Sequence, residues 1–257
     1  MTRATMRALS AAAVLLLSAG AAQAAEIKAM ITTAMKAAVD ELMPKFESTS
    51  ANKARITYGP SGGLAKRFRD GEPADFLLLA GPELHALMKL DKVLPGSSEI
   101  SRTGIGICVK KGAPRPDVST PEALKHALLA AKSVGHTAPA GGGITAMHLL
   151  KMFEKLGIAA DVAAKTKLAA GGPNGRVSEL VSSGEAEIGL QQVSELMSNP
   201  GVDVIGLLPD KLQQITVHLA GIAVDAKEPE AARELIRFLY SSDAVALYKT
   251  KGLGLGF

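Results

Sequence analysis

Short apolar runs alternate with amphipathic stretches along nearly the whole chain, and this alternation constrains the fold more than any other feature. Glu26 to Ile31 reads as a strand, and Met35, Val39, Leu42, Met43 and Phe46 then recur at near-helical spacing. Arg55 to Tyr58 is strand-like, and Leu64, Ala65 and Phe68 begin a second helix. Phe76-Leu77-Leu78-Leu79-Ala80 is a continuous apolar run, as expected of a strand covered on both faces. After Gly104 to Lys110, Thr120-Pro121 opens another helix with a good cap pair. Leu149, Leu150, Phe153 and Leu156 form a helix face ended by Gly157, and Val177, Leu180 and Val181 another ended by Gly184. Ala186 to Leu190, Val202 to Leu207 and Ile215 to Val224 read as strands, with helices around Leu235 and after Ser242. Such alternation predicts an α/β fold with mainly parallel sheets.

A break near Ser101 to Lys111 and a long return strand near Ile215 divide this pattern into two lobes. Residues 25–104 and 215–257 make the first lobe and 105–214 the second. A two-lobed α/β protein holds its ligand in the crevice at the carboxyl ends of the strands.

Residues 1–24 read as an export leader: Arg3 and Arg7, an apolar run from Ala8 to Ala22, then Ala22-Gln23-Ala24 at a cleavage position. That run is short for a bilayer span of about 20 residues. Losing Arg3 and Arg7 with the leader lowers the formal net charge from +4 to +2. A nearly neutral chain with 4% aromatic residues has little electrostatic or stacking motive to hold nucleic acid or a membrane surface. Cys108, the single cysteine, forms no internal disulfide and sits in an apolar strand, where it reads as a small buried hydrophobe.

Three strand-to-helix turns have the makings of an anion site: Ile31-Thr32-Thr33-Ala34, Tyr58-Gly59-Pro60-Ser61-Gly62-Gly63, and Ala138-Pro139-Ala140-Gly141-Gly142-Gly143-Ile144-Thr145. Each offers hydroxyls or free backbone N–H groups where a helix begins, and the helix dipole favours negative charge there. Alternatively, Thr32, Ser61 and Thr145 simply cap their helices.

Gly59-Pro60-Ser61-Gly62-Gly63 also fits the G-x-S-x-G turn of hydrolases, and Asp203 and His218 follow in the order of a triad. A secreted serine hydrolase built on Ser61 is therefore the enzymatic alternative, although no oxyanion loop of the H-G-G-G type precedes it. His85, His126, His136, His148 and His218 show no metal-ligand spacing, so no metal or cofactor is expected. No catalytic constellation emerges, and the chain is not expected to be an enzyme.

Taken in order, the hydroxyl-rich first turn, Tyr58-Gly59-Pro60-Ser61-Gly62-Gly63-Leu64-Ala65, Gly71-Glu72-Pro73-Ala74-Asp75 and Ser183-Gly184-Glu185-Ala186-Glu187-Ile188-Gly189 resemble the periplasmic molybdate-binding proteins of ABC importers. The tail from Gly252 to Phe257 also fits that family's usual ending. The resemblance implies a type II periplasmic binding protein: two α/β lobes joined by two crossing strands, closing by a hinge on a small anion. It implies an ABC permease as partner, a periplasmic location and a monomer. A periplasmic sensor would share the same fold.

The chain departs from that family at informative places. The family's first turn usually reads A-A-S, whereas Ala34 stands here at the serine's place and Thr33 is left to supply the hydroxyl. Where the family often has a tyrosine, Leu190 is followed by Gln191 and Gln192, an amide in place of a phenol. The loop Gly171-Gly172-Pro173-Asn174-Gly175-Arg176 adds a guanidinium to a site that is usually uncharged. Arg176 either pairs bidentately with a carboxylate ligand or is a surface residue at a helix start. The expected ligand-binding set is Thr32, Thr33, Ser61 and Gly62 on one lobe, with Gly143, Ile144, Thr145, Asn174, Arg176 and Gln192 on the other. A molybdate-like oxyanion and a small organic carboxylate both remain candidate ligands.

Overall fold

The structure is a computed structural model and describes residues 24–172 and 175–254. Residues 1–23 of the leader, Pro173, Asn174 and the last three residues of the tail lie outside the described residues.

Two five-stranded sheets form the framework. The first contains β1 (Glu26–Thr32), β2 (Lys53–Gly59), β3 (Phe76–Ala80), β4 (Ser98–Thr103) and, from late in the chain, β10 (Thr216–Ile222). The second contains β5 (Ile105–Lys110), β6 (Val134–Thr137), β7 (Thr166–Ala169), β8 (Ile188–Gln192) and β9 (Val202–Leu207). The spatial orders are β2-β1-β3-β10-β4 and β7-β6-β8-β5-β9. The chain passes between the sheets twice, through Gly104 between β4 and β5 and through the segment between β9 and β10.

The sheets are more evenly mixed than the alternation predicts. β1 pairs parallel with β2 and β3, and β6 parallel with β7 and β8. The strands beside the crossings run the other way: β10 is antiparallel to β3 and β4, and β5 to β8 and β9. A strand that arrives from the other lobe enters its sheet from the crevice end, opposite to strands whose helices return to the far end.

Each sheet is covered on both faces. Ile27, Ala29 and Ile31 of β1, with Phe76 and Leu78 of β3, pack under α1 (Lys36–Ser50), α9 (Pro229–Leu239) and α10 (Ser242–Thr250). The alternate residues Met30, Leu77 and Leu79 meet α2 (Ser61–Arg69) and α3 (Gly81–Lys89). This two-residue alternation explains why β3 is apolar throughout: both of its faces are interior. In the second lobe, Ile105, Ile107, Val109 and Leu190 pack under α4 (Pro121–Ala130), α5 (Ile144–Lys155) and α6 (Ala159–Ala163). Cys108 faces α7 (Val177–Ser183) and α8 (Val193–Met197), in a core with Val177, Val181 and Leu196. Burial pushes the Cys108 thiol up to about 12, which makes it inert as a nucleophile.

Candidate functional site

Between the lobes, the strand-to-helix turns of both sheets surround a cavity of about 40 Å³. The first lobe contributes Thr32, Thr33, Ala34, Pro60 and Ser61; the second contributes Thr137, Gly143, Ile144, Thr145, Ala146, Gly171, Gly172, Gln191, Gln192 and Glu195. The structure thus brings Thr32, Thr33, Ser61, Gly143, Ile144, Thr145 and Gln192 to one place. Gly62 and Arg176 are not among the lining residues.

None of the hydroxyls here is consumed as a helix cap. The N-cap positions of α2 and α5 are Pro60 and Gly143, and neither helix has a side-chain cap. Thr32 precedes the short 3-10 turn Thr33–Met35 and makes no capping hydrogen bond. Two helices of nine and twelve residues therefore begin uncapped at the cavity from opposite lobes. Their orphan N–H groups and dipoles make the space between them favourable to an anion.

The side chains hold one another in place. Ser61 Oγ accepts a hydrogen bond from the Ala80 backbone N–H at 3.0 Å, which ties the start of α2 to the end of β3. Its own O–H remains available to donate. Gln192 Nε2 lies 3.3 Å from both Thr145 Oγ1 and Thr216 Oγ1. Gln191 Oε1 accepts from the Val177 N–H at 3.0 Å and so fixes the start of α7. Thr33 Oγ1 and Gln192 Oε1 are buried without a hydrogen-bond partner among the described residues. Buried polar groups are normally satisfied, and the Thr33 hydroxyl can donate to an anion in the cavity, whereas Gln192 Oε1 only accepts and calls for a donor.

The lobes touch directly beside the cavity. The Gly62 N–H donates to the Gly142 carbonyl oxygen at 3.2 Å. A Cβ at Gly62 would lie 2.3 Å from that oxygen, so only glycine permits the approach. Gly142 itself has a φ of 72°, in the left-handed region. Gly62 therefore serves closure in this conformation, with its donor spent on the other lobe.

Arg176 is occupied locally. Its Nε and Nη2 each lie 3.2 Å from Glu179 Oε1, and Nη1 donates to Ser198 Oγ at 2.7 Å. Glu179 Oε2 also accepts the Arg176 backbone N–H. This is the carboxylate half of a capping box; an arginine side chain has no acceptor to complete the other half. The guanidinium is held beside the cavity, where its charge acts on Glu195.

Glu195 is the charged-type residue of the lining, and sequence reasoning missed it along with Thr137, Gly171, Gly172 and Gln191. Burial pushes its carboxyl up to about 7, against the opposing pull of Arg176 and a hydrogen bond from Gln191. The available signal was its position three residues after Gln192, on the short helix that follows β8.

The hydrolase triad does not assemble. His218 is fully buried, with Nδ1 2.9 Å from Ser101 Oγ. Asp203 accepts from the Gly112 N–H at 3.1 Å and pairs with Arg115. Ser61, His218 and Asp203 thus serve three separate contacts.

Comparison with known proteins matches residues 27–254 to the model of a bacterial extracellular solute-binding protein family. An aconitate isomerase from a Pseudomonas species is 33% identical over 222 residues, spanning 84% of this chain and 82% of that protein. The molybdate-binding protein ModA of Azotobacter vinelandii is 27% identical over 252 residues, spanning 91% and 92%. Among solved structures, an Azotobacter vinelandii periplasmic molybdate-binding protein superposes with a TM-score of 0.72 at 16% identity, covering 90% of this chain and all of that one. The sulfate-binding protein SubI of Mycobacterium tuberculosis superposes with a TM-score of 0.73 at 15% identity, covering 89% and 86%. These structural likenesses establish the two-lobed binding-protein fold. With the family match running nearly end to end, the chain belongs to the bacterial extracellular solute-binding proteins.

Proposed function

We propose that this protein is exported to the periplasm, captures a compact oxyanion between its lobes and presents the closed form to an ABC permease. The observation that carries this reading is the cavity's lining: hydroxyls, amides and two uncapped helix starts, with no cationic side chain. Neutral donors suffice for a tetrahedral oxyanion because every oxygen accepts hydrogen bonds. A tricarboxylate would bring three negative charges to a lining whose ionisable side chain, Glu195, is itself acidic. The Thr33, Ser61 and Thr145 hydroxyls would supply side-chain contacts, with Gln192 Nε2 orienting Thr145, and the start of α5 would supply backbone N–H groups.

The test is a thermal-shift panel of molybdate, tungstate, sulfate, phosphate and organic di- and tricarboxylates. A ligand at a hundred times its Kd adds about 2.7 kcal/mol of stability. Stabilisation by a tetrahedral oxyanion supports the reading; stabilisation by carboxylates alone overturns it.

The 33% identity to an aconitate isomerase, together with a carboxyl poised near neutrality in the cavity, favours one second reading. Here the site would take a tricarboxylate in a more open form, with Glu195 moving a proton on it as general acid and base. Following cis- and trans-aconitate by NMR in the presence of the protein decides this: interconversion establishes it, and its absence at high protein concentration removes it.

A further inference from the structure

Glu195 has no part in a site made of neutral donors, yet it lines the cavity that Thr33, Ser61 and Gln192 also line. An ionised carboxylate there would share the cavity with the anion. Like charges so placed cannot both persist at low cost. We propose that Glu195 makes this a proton-coupled anion site, which takes up one proton from solvent with each oxyanion it encloses. The inference rests on the oxyanion reading above and adds which protonation state the site admits.

The surroundings of Glu195 support it. α8 packs against β5, β8, β9, α7 and the turn Thr33–Met35. β8 and that turn carry no titratable side chain. On β5, Cys108 is buried and Lys110 is exposed at the strand end. Asp203 of β9 is committed to Gly112 and Arg115. From α7 comes Glu179, which is paired with Arg176. Arg176 is thus the cation acting on Glu195, and its guanidinium is already shared with Glu179 and Ser198. Burial outweighs that attraction and brings Glu195 up to about 7. Protonated, Glu195 donates a hydrogen bond to an oxyanion; ionised, it repels one. A bound dianion raises its proton affinity further, so the proton enters with the anion.

The experiment is calorimetric titration of molybdate and of sulfate, which take up no proton of their own between pH 6 and 9. It is run in phosphate-free buffers of different ionisation heat. The expected result is uptake approaching one proton per anion at pH 8, with affinity falling about tenfold per pH unit above pH 7. Glu195→Gln should bind without proton uptake, with a flat pH profile and tighter than wild type at pH 8. Wild-type binding with no proton uptake and no pH dependence overturns the inference and leaves the oxyanion reading standing. Failure of wild type to bind either anion at any pH overturns both.

Discussion

The backbone N–H of Gly62 in the first lobe donates to the carbonyl oxygen of Gly142 in the second, 3.2 Å away. This contact joins two turns that the chain separates by eighty residues, and it closes one side of the cavity. Gly62 lies in the first turn of α2 without a positive φ, so alanine suits the helix there. Where the lobes part in the ligand-free protein, Gly62→Ala is predicted to stabilise α2 by up to about 1 kcal/mol. Its Cβ would strike the Gly142 oxygen, so the same change is predicted to weaken anion binding by at least about tenfold, the scale of one lost hydrogen bond with no room to close. Denaturant unfolding and calorimetry should move in opposite directions. Unchanged affinity would mean that closure does not use this contact.

Ser61→Ala tests the hydroxyl that bridges scaffold and cavity. It leaves the buried Ala80 N–H without its acceptor, a loss of about 1–3 kcal/mol in stability. Removing a hydrogen bond to a charged ligand costs about 1.5–3 kcal/mol of binding as well. Calorimetry on the folded variant separates the two. If stability falls while affinity holds, Ser61 only tethers β3.

For Arg176→Ala, the prediction concerns pH. Without the guanidinium, Glu195 should hold its proton to higher pH, so the fall in affinity starts later and anion binding below that point stays nearly as tight. A guanidinium that contacts the ligand would instead cost affinity at every pH. Titrating the variant across pH 6 to 9 distinguishes these outcomes.

These residues also show what the sequence makes legible. The strand-to-helix turns around Thr32, Ser61 and Gly143 announce themselves through glycine and hydroxyl side chains after apolar runs, and all three reach the cavity. The direction of β5 and β10 does not, because apolar periodicity is the same for parallel and antiparallel strands. Arg176 stood out as a lone cation in a glycine-rich loop. Its partner was nonetheless present three residues on, as Glu179 at the position of a capping carboxylate. Glu195 stayed hidden because α8 has only five residues, too few to show which face turns toward the crevice.

The buried His218 imidazole makes a prediction about acid stability. Desolvation holds it down to about 4, below its ordinary value of 6.5. The unfolded chain therefore takes up this proton first as pH falls. The contribution is fully present above about pH 6.5 and is lost as pH falls toward 4, with an upper bound of about 3 kcal/mol. Glu195 acts oppositely, its contribution being present below 4.5 and lost as pH rises through 7. Urea unfolding of wild type and His218→Gln at stepped pH should show the gap between them changing from pH 6.5 to 4 in the variant's favour. A constant gap would mean that His218 is not the group titrating there.

Side-by-side titration of the two ligand classes tests the central claim, that neutral donors between the closed lobes hold a compact oxyanion. Molybdate, sulfate and trans-aconitate are each titrated into the same preparation at pH 6 by calorimetry. The structure predicts one-to-one binding of a tetrahedral oxyanion and no saturable heat from trans-aconitate. Saturable binding of trans-aconitate with none from either oxyanion would contradict it.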